Sequence, residues 1–187
     1  MIWALDLETT GLDARLDAIL SLGMVPIRAG AVRWGERFYA LARPPEGVSL
    51  TREALRVHHI MPGEVAAASP IEALLPEYER RAAGAVLLMH WKPLDAAFLD
   101  RAYRRTGRVR PRTPIIDTVS LMGRYAHRQQ FIDPGTTTVP TDLAGARRHF
   151  GLPAHAEHHA LYDALATAEL FLVLRQRLGR DTIRSLR

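Results

Sequence analysis

Residues 4–12 read ALDLETTGL, an apolar run interrupted by carboxylates at Asp6 and Glu8. A β-strand alternates its faces, so residues two apart project the same way and the two acids stand side by side. Ionised carboxylates in a poorly solvated place repel each other, and leaving them unpaired either destabilises the fold or forces one to take up a proton. A divalent cation with a preference for oxygen, Mg²⁺ or Mn²⁺, relieves both penalties, using one or two carboxylates, waters and a substrate phosphate as ligands. A plainer reading is that one acid caps the following turn and the other pairs with an arginine. The D-x-E spacing alone does not choose between the two.

The rest of the chain bounds the answer. Its 187 residues suit one ordinary domain with a substantial core. The composition, 48% hydrophobic and 24% charged, is that of a soluble globular protein. No stretch reaches the roughly 18 uninterrupted apolar residues that a membrane helix needs, which argues against a membrane protein. The opening MIWALDLE lacks the basic region and cleavage site of a signal peptide and there are no cysteines, so a cytoplasmic location is expected. The formal charge of +5 favours an anionic partner such as nucleic acid. Lys92 is the only lysine, and Arg101, Arg104, Arg105, Arg108, Arg110 and Arg112 form the densest basic run. That run reads either as a phosphate track or as an ordinary solvated face.

Outward from the opening strand, IWALDLE, AILSLGMVPIR and AVRWGERFYALAR read as an antiparallel meander, with Ala29-Gly30 as a tight turn. Helical patterns follow. TREALRVHH opens on a Thr51 cap, and SPIEALLPEYERRAAG on a Ser69 cap with Pro70 at the first helical position and Gly84 at its end. AVLLMH is a short strand buried on both faces, and LDAAFLDRAYRRTG completes a βα unit. RVRPRTP is a connector, IIDTVSLMGRYAH a helix starting near Asp117, and RQQFIDPGTTTVP a loop. TDLAGARRHFG closes on Gly151, and HALYDALATAELFLVLRQRLG is a long helix ending at Gly179. The order implies an α/β fold of three layers, a mixed central sheet with helices on both faces.

Two further acids stand in suggestive settings. Asp95, in MHWKPLDAAFL, starts a helix directly after the buried strand, where α/β folds place ligand contacts. Asp163, in HHALYDALATAELF, lies near the start of the long helix. Taken in order, Asp6-x-Glu8 in DLETTGL, a histidine five residues before Asp95, and His158-x-Ala160-x-x-Asp163-Ala164 resemble the DEDDh 3′-to-5′ exonuclease superfamily, including the epsilon-type proofreading exonucleases. VHHI at 57–60 and IDT at 116–118 are similar to further segments of that family.

The resemblance spans about residues 1–178, leaving 179–187 as a short C-terminal extension. It implies a ribonuclease H-like fold, two Mg²⁺ or Mn²⁺ ions held by Asp6, Glu8, Asp95 and Asp163, and His158 as the general base. On a continuous helix His159, not His158, would share the face of Asp163. The family pattern selects His158, which suits the role on the loop leading into the helix. His155, His158 and His159 lack the spacing of a zinc cluster. Thr10, Gly11 and Leu12 are expected to bind the terminal nucleotide, and His58 and His90 are weaker candidates for lining its pocket. Trp91, Leu94 and His59 stand where the family has Asn, Phe and Gly, which puts the substrate contacts in question.

The expected activity is metal-dependent 3′-to-5′ hydrolysis of single-stranded or frayed DNA, releasing nucleoside 5′-monophosphates, as in repair or proofreading. An RNA-directed exonuclease similar to ribonuclease T or oligoribonuclease is the first alternative, since 2′-OH discrimination lies in contacts that a sequence does not display. A proofreading or accessory subunit of a DNA polymerase is another; GRDTIRSLR, without a Pro-, Gly- or Gln-rich linker, speaks against a tethered role. An inactive nucleic-acid-binding domain is disfavoured because all five catalytic residue types are present.

Overall fold

The computed structural model describes residues 1–132 and 138–179, apart from the side chains of Glu53 and Leu55. The meander forms as β1 (Ile2–Thr9), β2 (Ile19–Arg28), a two-residue β3 (Ala31–Val32) and β4 (Phe38–Arg43). The third expected strand is broken by a 3₁₀ turn at Trp34–Glu36. Next come α1 (Arg52–Val57), capped by Thr51 as expected, α2 (Pro62–Ala67), β5 (Ser69–Pro70) and α3 (Ile71–Ala82). Ser69 therefore does not cap α3. It pairs with Ala42 in the sheet, and the helix starts one residue after Pro70.

The second half contributes β6 (Val86–Met89), α4 (Lys92–Arg105), β7 (Ile115–Asp117), α5 (Thr118–Ile132), α6 (Leu143–His149) and α7 (Ala160–Leu178). The expected loop from Arg128 begins as helix, because α5 runs on to Ile132. Residues 133–137 of that loop and residues 180–187 of the expected extension lie outside the described residues. Among the described residues no helix is long and apolar enough to cross a membrane.

Among the described residues seven strands form one mixed sheet in the order β5-β4-β2-β1-β6-β7, with β3 paired to β2. β1, β2 and β4 are antiparallel neighbours, whereas β1, β6 and β7 run parallel. Strand alternation divides the core. Trp3, Leu5 and Leu7 pack with Leu75 and Tyr78 of α3 and Phe98 and Leu99 of α4. On the other face Ala4 and Leu88 pack with Leu121 and Met122 of α5 and Phe171 and Leu174 of α7. Each face is covered by helices, the three-layer arrangement of a ribonuclease H-like fold.

Among the described residues one cationic side chain is buried, at the junction of α6 and α7. Arg147 of α6 donates to the carbonyls of Ala166 (2.9 Å) and Pro153 (3.0 Å) and pairs with Glu169 at 2.8 Å. It thereby ties α6 and α7 to the segment leading to His155 and His158. Arg147→Ala removes the donor to the Pro153 carbonyl and the partner of Glu169, a buried acceptor left unsatisfied costing about 1–3 kcal/mol, while the Ala166 carbonyl keeps its helical bond within α7. The expected result in denaturant unfolding is a loss of about 3 kcal/mol relative to wild type.

Candidate active site

The side chains on the even-numbered face of β1 run Ile2, Ala4, Asp6, Glu8, so the strand that contributes Ala4 to the core presents two acids further along. Parallel pairing with β6 extends only from Ile2 to Ala4. Beyond it, the backbone N–H of Leu7 hydrogen-bonds the Asp95 carboxylate, which the first turn of α4 brings to the end of the sheet. Asp163 arrives from α7.

Its arrival depends on a glycine. Gly23 of β2 lies opposite Asp6, and the first turn of α7 rests on it; a Cβ there would stand 2.3 Å from backbone atoms of Ala160. With the helix seated this closely, carboxylate oxygens of Asp6, Glu8 and Asp163 lie within 4.8 Å of one another. Asp95 falls outside that group but remains close enough for its charge to act on Asp6.

The electrostatics follow from the crowding. Burial, and then the charges of Asp95, Glu8 and Asp163, push the Asp6 carboxyl well above the usual carboxylate range. Burial and then Glu8 and Asp117 raise Asp95 likewise, against the hydrogen bond from Leu7. An all-oxygen donor set whose members destabilise one another's charge fits a hard divalent cation. Two histidines brace the acids from outside. His58 Nδ1 stands 2.5 Å from Glu8 Oε2, a charge contact without the alignment of a good hydrogen bond, and Nε2 is 3.0 Å from the Thr9 carbonyl. Burial disfavours the charged ring, but the Glu8 carboxylate and the carbonyls of Thr9 and His158 outweigh it, so the His58 pKa is raised. His155 Nε2 lies 2.8 Å from Asp163 Oδ1, whose other oxygen accepts from the His159 N–H at 3.0 Å.

The remaining expected residues fall unevenly. His158 is exposed in the loop before α7, in a left-handed conformation (φ 63°), with its ring edge-on to His58 at 6.3 Å. His159 is not on the helix face with Asp163; it is the cap of α7. The Thr10 hydroxyl donates to Asp17 at 2.9 Å, its amide donates to the Ala18 carbonyl, and Gly11 leaves room for the Asp17 carboxylate, which a Cβ would meet at 2.5 Å. Thr10 and Gly11 thus build the turn, and Leu12, 77% exposed, is the member that projects outward. His58 braces Glu8 rather than lining a pocket for a base. His90 is committed too: Nδ1 meets Thr118 Oγ1 at 2.8 Å and Nε2 the Thr141 carbonyl at 2.9 Å.

The arginine run is largely consumed by the fold. Arg105 pairs with Glu72, Arg108 with Glu79 and Arg110 with Asp100, while Arg101 donates to the Ala14 carbonyl. These contacts leave little of it as a phosphate track. Gly23, Asp17 and the brace by His155 escaped the sequence reading. Only Gly23 carried a signal, since an isolated glycine within a strand marks close approach of another backbone.

Gly23→Ala forces α7 off the sheet and Asp163 away from Asp6 and Glu8. Manganese binding followed by calorimetry is expected to weaken about tenfold or more, with a stability loss of about 1–3 kcal/mol. A second expectation concerns pH. Burial is the main cause that lowers the His90 pKa from its ordinary value of 6.5. As pH falls through about 6.5 the unfolded ring takes up a proton that the folded ring refuses, so stability drops with acidification until the folded pKa is reached. His90→Asn removes this contribution, and its melting temperature should fall less than that of wild type between pH 7 and pH 5.

Comparison with known proteins gives this geometry a family. Residues 3–171 match the exonuclease family RNase_T. The chain is 27% identical over 178 residues to a PolC-type DNA polymerase III of Staphylococcus aureus, covering 92% of this chain and 11% of that protein. It therefore spans about a tenth of the length of such curated relatives. Among solved structures, the nuclease domain of 3′hExo, a DEDDh family member bound to rAMP, superposes with a TM-score of 0.77 at 16% identity, covering 94% of this chain and 91% of that one. E. coli Exonuclease I in complex with a dT13 oligonucleotide gives 0.80 at 16% identity, covering 98% of this chain and 42% of that one. At these identities the two superpositions speak for the fold, and the family match speaks for descent. The chain belongs to the RNase_T family of exonucleases.

Proposed function

We propose that the chain removes nucleoside 5′-monophosphates from the 3′ end of single-stranded or frayed DNA, with Mg²⁺ or Mn²⁺ as its cofactor. The observation that carries this reading is the approach of Asp6, Glu8 and Asp163 to within 4.8 Å, with Asp95 electrostatically coupled to them. These four acids would hold two ions, which when bound supply charge to activate a water and to stabilise the leaving 3′ oxygen.

The protein's own part is positional. His58 and His155 orient Glu8 and Asp163 from outside, as partners of metal-binding carboxylates do. His158, exposed on its loop, accepts at a ring nitrogen the proton of the water that attacks phosphorus. The bond from phosphorus to the 3′ oxygen of the preceding nucleotide breaks, and the terminal nucleotide leaves with its 5′-phosphate. Leu12 stands outward on the turn after β1, where it can wedge against the terminal base. This reading places the enzyme in the cytoplasm and in DNA repair. The similarity to part of a PolC-type polymerase supports a second reading, proofreading beside a polymerase. Co-purification with a polymerase subunit would favour it.

A panel of labelled DNA, RNA and dinucleotide substrates tests the proposal. Mononucleotides should appear from the 3′ end of single-stranded DNA with Mn²⁺, and chelator should abolish their release. Asp6→Ala should reduce kcat by about a thousandfold or more. Trimming of RNA alone would overturn the DNA preference, and equal release by wild type and Asp6→Ala would overturn the site.

A further inference from the structure

We propose that Tyr39 and Tyr162 are positioning residues: the ring contacts they make with His159 set His158 at the mouth of the carboxylate group. The proposal rests on the reading of His158 as proton acceptor. His158 has φ 63°, a left-handed conformation that carries a steric penalty for a residue with a Cβ and persists only where its surroundings impose it.

The imposing contacts are on its neighbour. His159 caps α7, its Nδ1 accepting from the Leu161 N–H at 3.3 Å and its own N–H donating to Asp163 at 3.0 Å. Its ring stacks on Tyr39 with centroids 4.6 Å apart and planes 24° from parallel, and meets Tyr162 at 4.8 Å. Tyr39 is fixed by the sheet, since it lies opposite Gly23, which in turn lies opposite Asp6. The stack therefore measures the position of His159 from the same row of the sheet that holds the first metal-binding acid. Trp34 extends the file beyond Tyr162, with Arg37 over its ring at 4.6 Å.

On its other side His158 meets the His58 ring edge-on, with centroids 6.3 Å apart, and that ring also touches Glu8. With His159 clamped beside it, His158 keeps its left-handed backbone and its ring projects beside His58. A histidine that merely capped the helix would need no aromatic rings packed against it.

The test uses the full chain, a 3′-labelled single-stranded oligonucleotide and Mn²⁺. Tyr39→Leu is expected to lower kcat about ten- to a hundredfold, as small misplacements of a reacting group do, with KM changed by about twofold or less. Tyr39→Phe, which keeps the stacking ring, should restore wild-type kcat. Tyr162→Leu alters an exposed side chain and gives the same readout if Tyr39→Leu does not fold. Wild-type kcat in folded Tyr39→Leu or Tyr162→Leu overturns the proposal, as does a Tyr39→Phe variant no better than Tyr39→Leu. His158→Ala run in parallel separates the two levels. If it keeps wild-type kcat, the proton-acceptor reading falls and the clamp with it; if it is impaired while both leucine variants are not, the clamp alone falls.

Discussion

Mutual repulsion among carboxylates drawn from β1, α4 and α7 is the constraint on which the rest of the arrangement depends. Bringing such groups together raises the pKa values of Asp6 and Asp95, and nothing in the local chemistry of β1 favours it. The fold holds them by burying apolar surface elsewhere. Leu170, Phe171 and Leu174 anchor α7 two turns and more from Asp163, and Leu99 and Phe98 anchor α4 one turn from Asp95. Hydrophobic packing at the middle of each helix thus offsets the electrostatic cost at its end, an arrangement expected where acids are assembled for a cation.

Backbone strain gathers at the same place. Among the described residues four other than glycine have positive φ: Ala29, His59, Trp91 and His158. Ala29 belongs to the tight turn with Gly30. The other three adjoin site elements: His59 follows the brace on Glu8, Trp91 precedes the helix of Asp95, and His158 precedes the helix of Asp163. The Trp91 amide is held by Asp117 Oδ1 at 3.1 Å, so the strand beside β6 fixes the turn into α4. Trp91 and His59 are also two of the three residues that depart from the family pattern, and both have adopted the conformation that a glycine or an asparagine takes more readily.

The arginine run from Arg101 to Arg112 is for the most part neither a phosphate track nor a free solvated face. Arg105 and Arg108 pair with Glu72 and Glu79 of α3, and Arg110 with Asp100 of α4. These acids lie 10 to 33 positions away in sequence, so the run appears uncompensated only when read along the chain. Arg147, unremarked in sequence, is the buried arginine that connects helices.

The sequence by itself determined the class of fold and the four acids as candidates. Period-two alternation put Asp6 and Glu8 on one face, apolar β6 announced a strand covered on both sides, and turn residues marked where helices begin. These are local rules, each written within a few residues. It placed the cap of α3 at Ser69, one residue too early, because the pairing of Ser69 with Ala42 is a contact 27 residues apart. Tertiary structure alone decided that His58 and His155 brace acids, that His90 is tied to Thr118 and Thr141, and that Gly23 must lack a Cβ for α7 to seat. Each of these depends on which segments meet across the sheet, and burial of apolar surface, not the identity of the polar residues, selects those meetings.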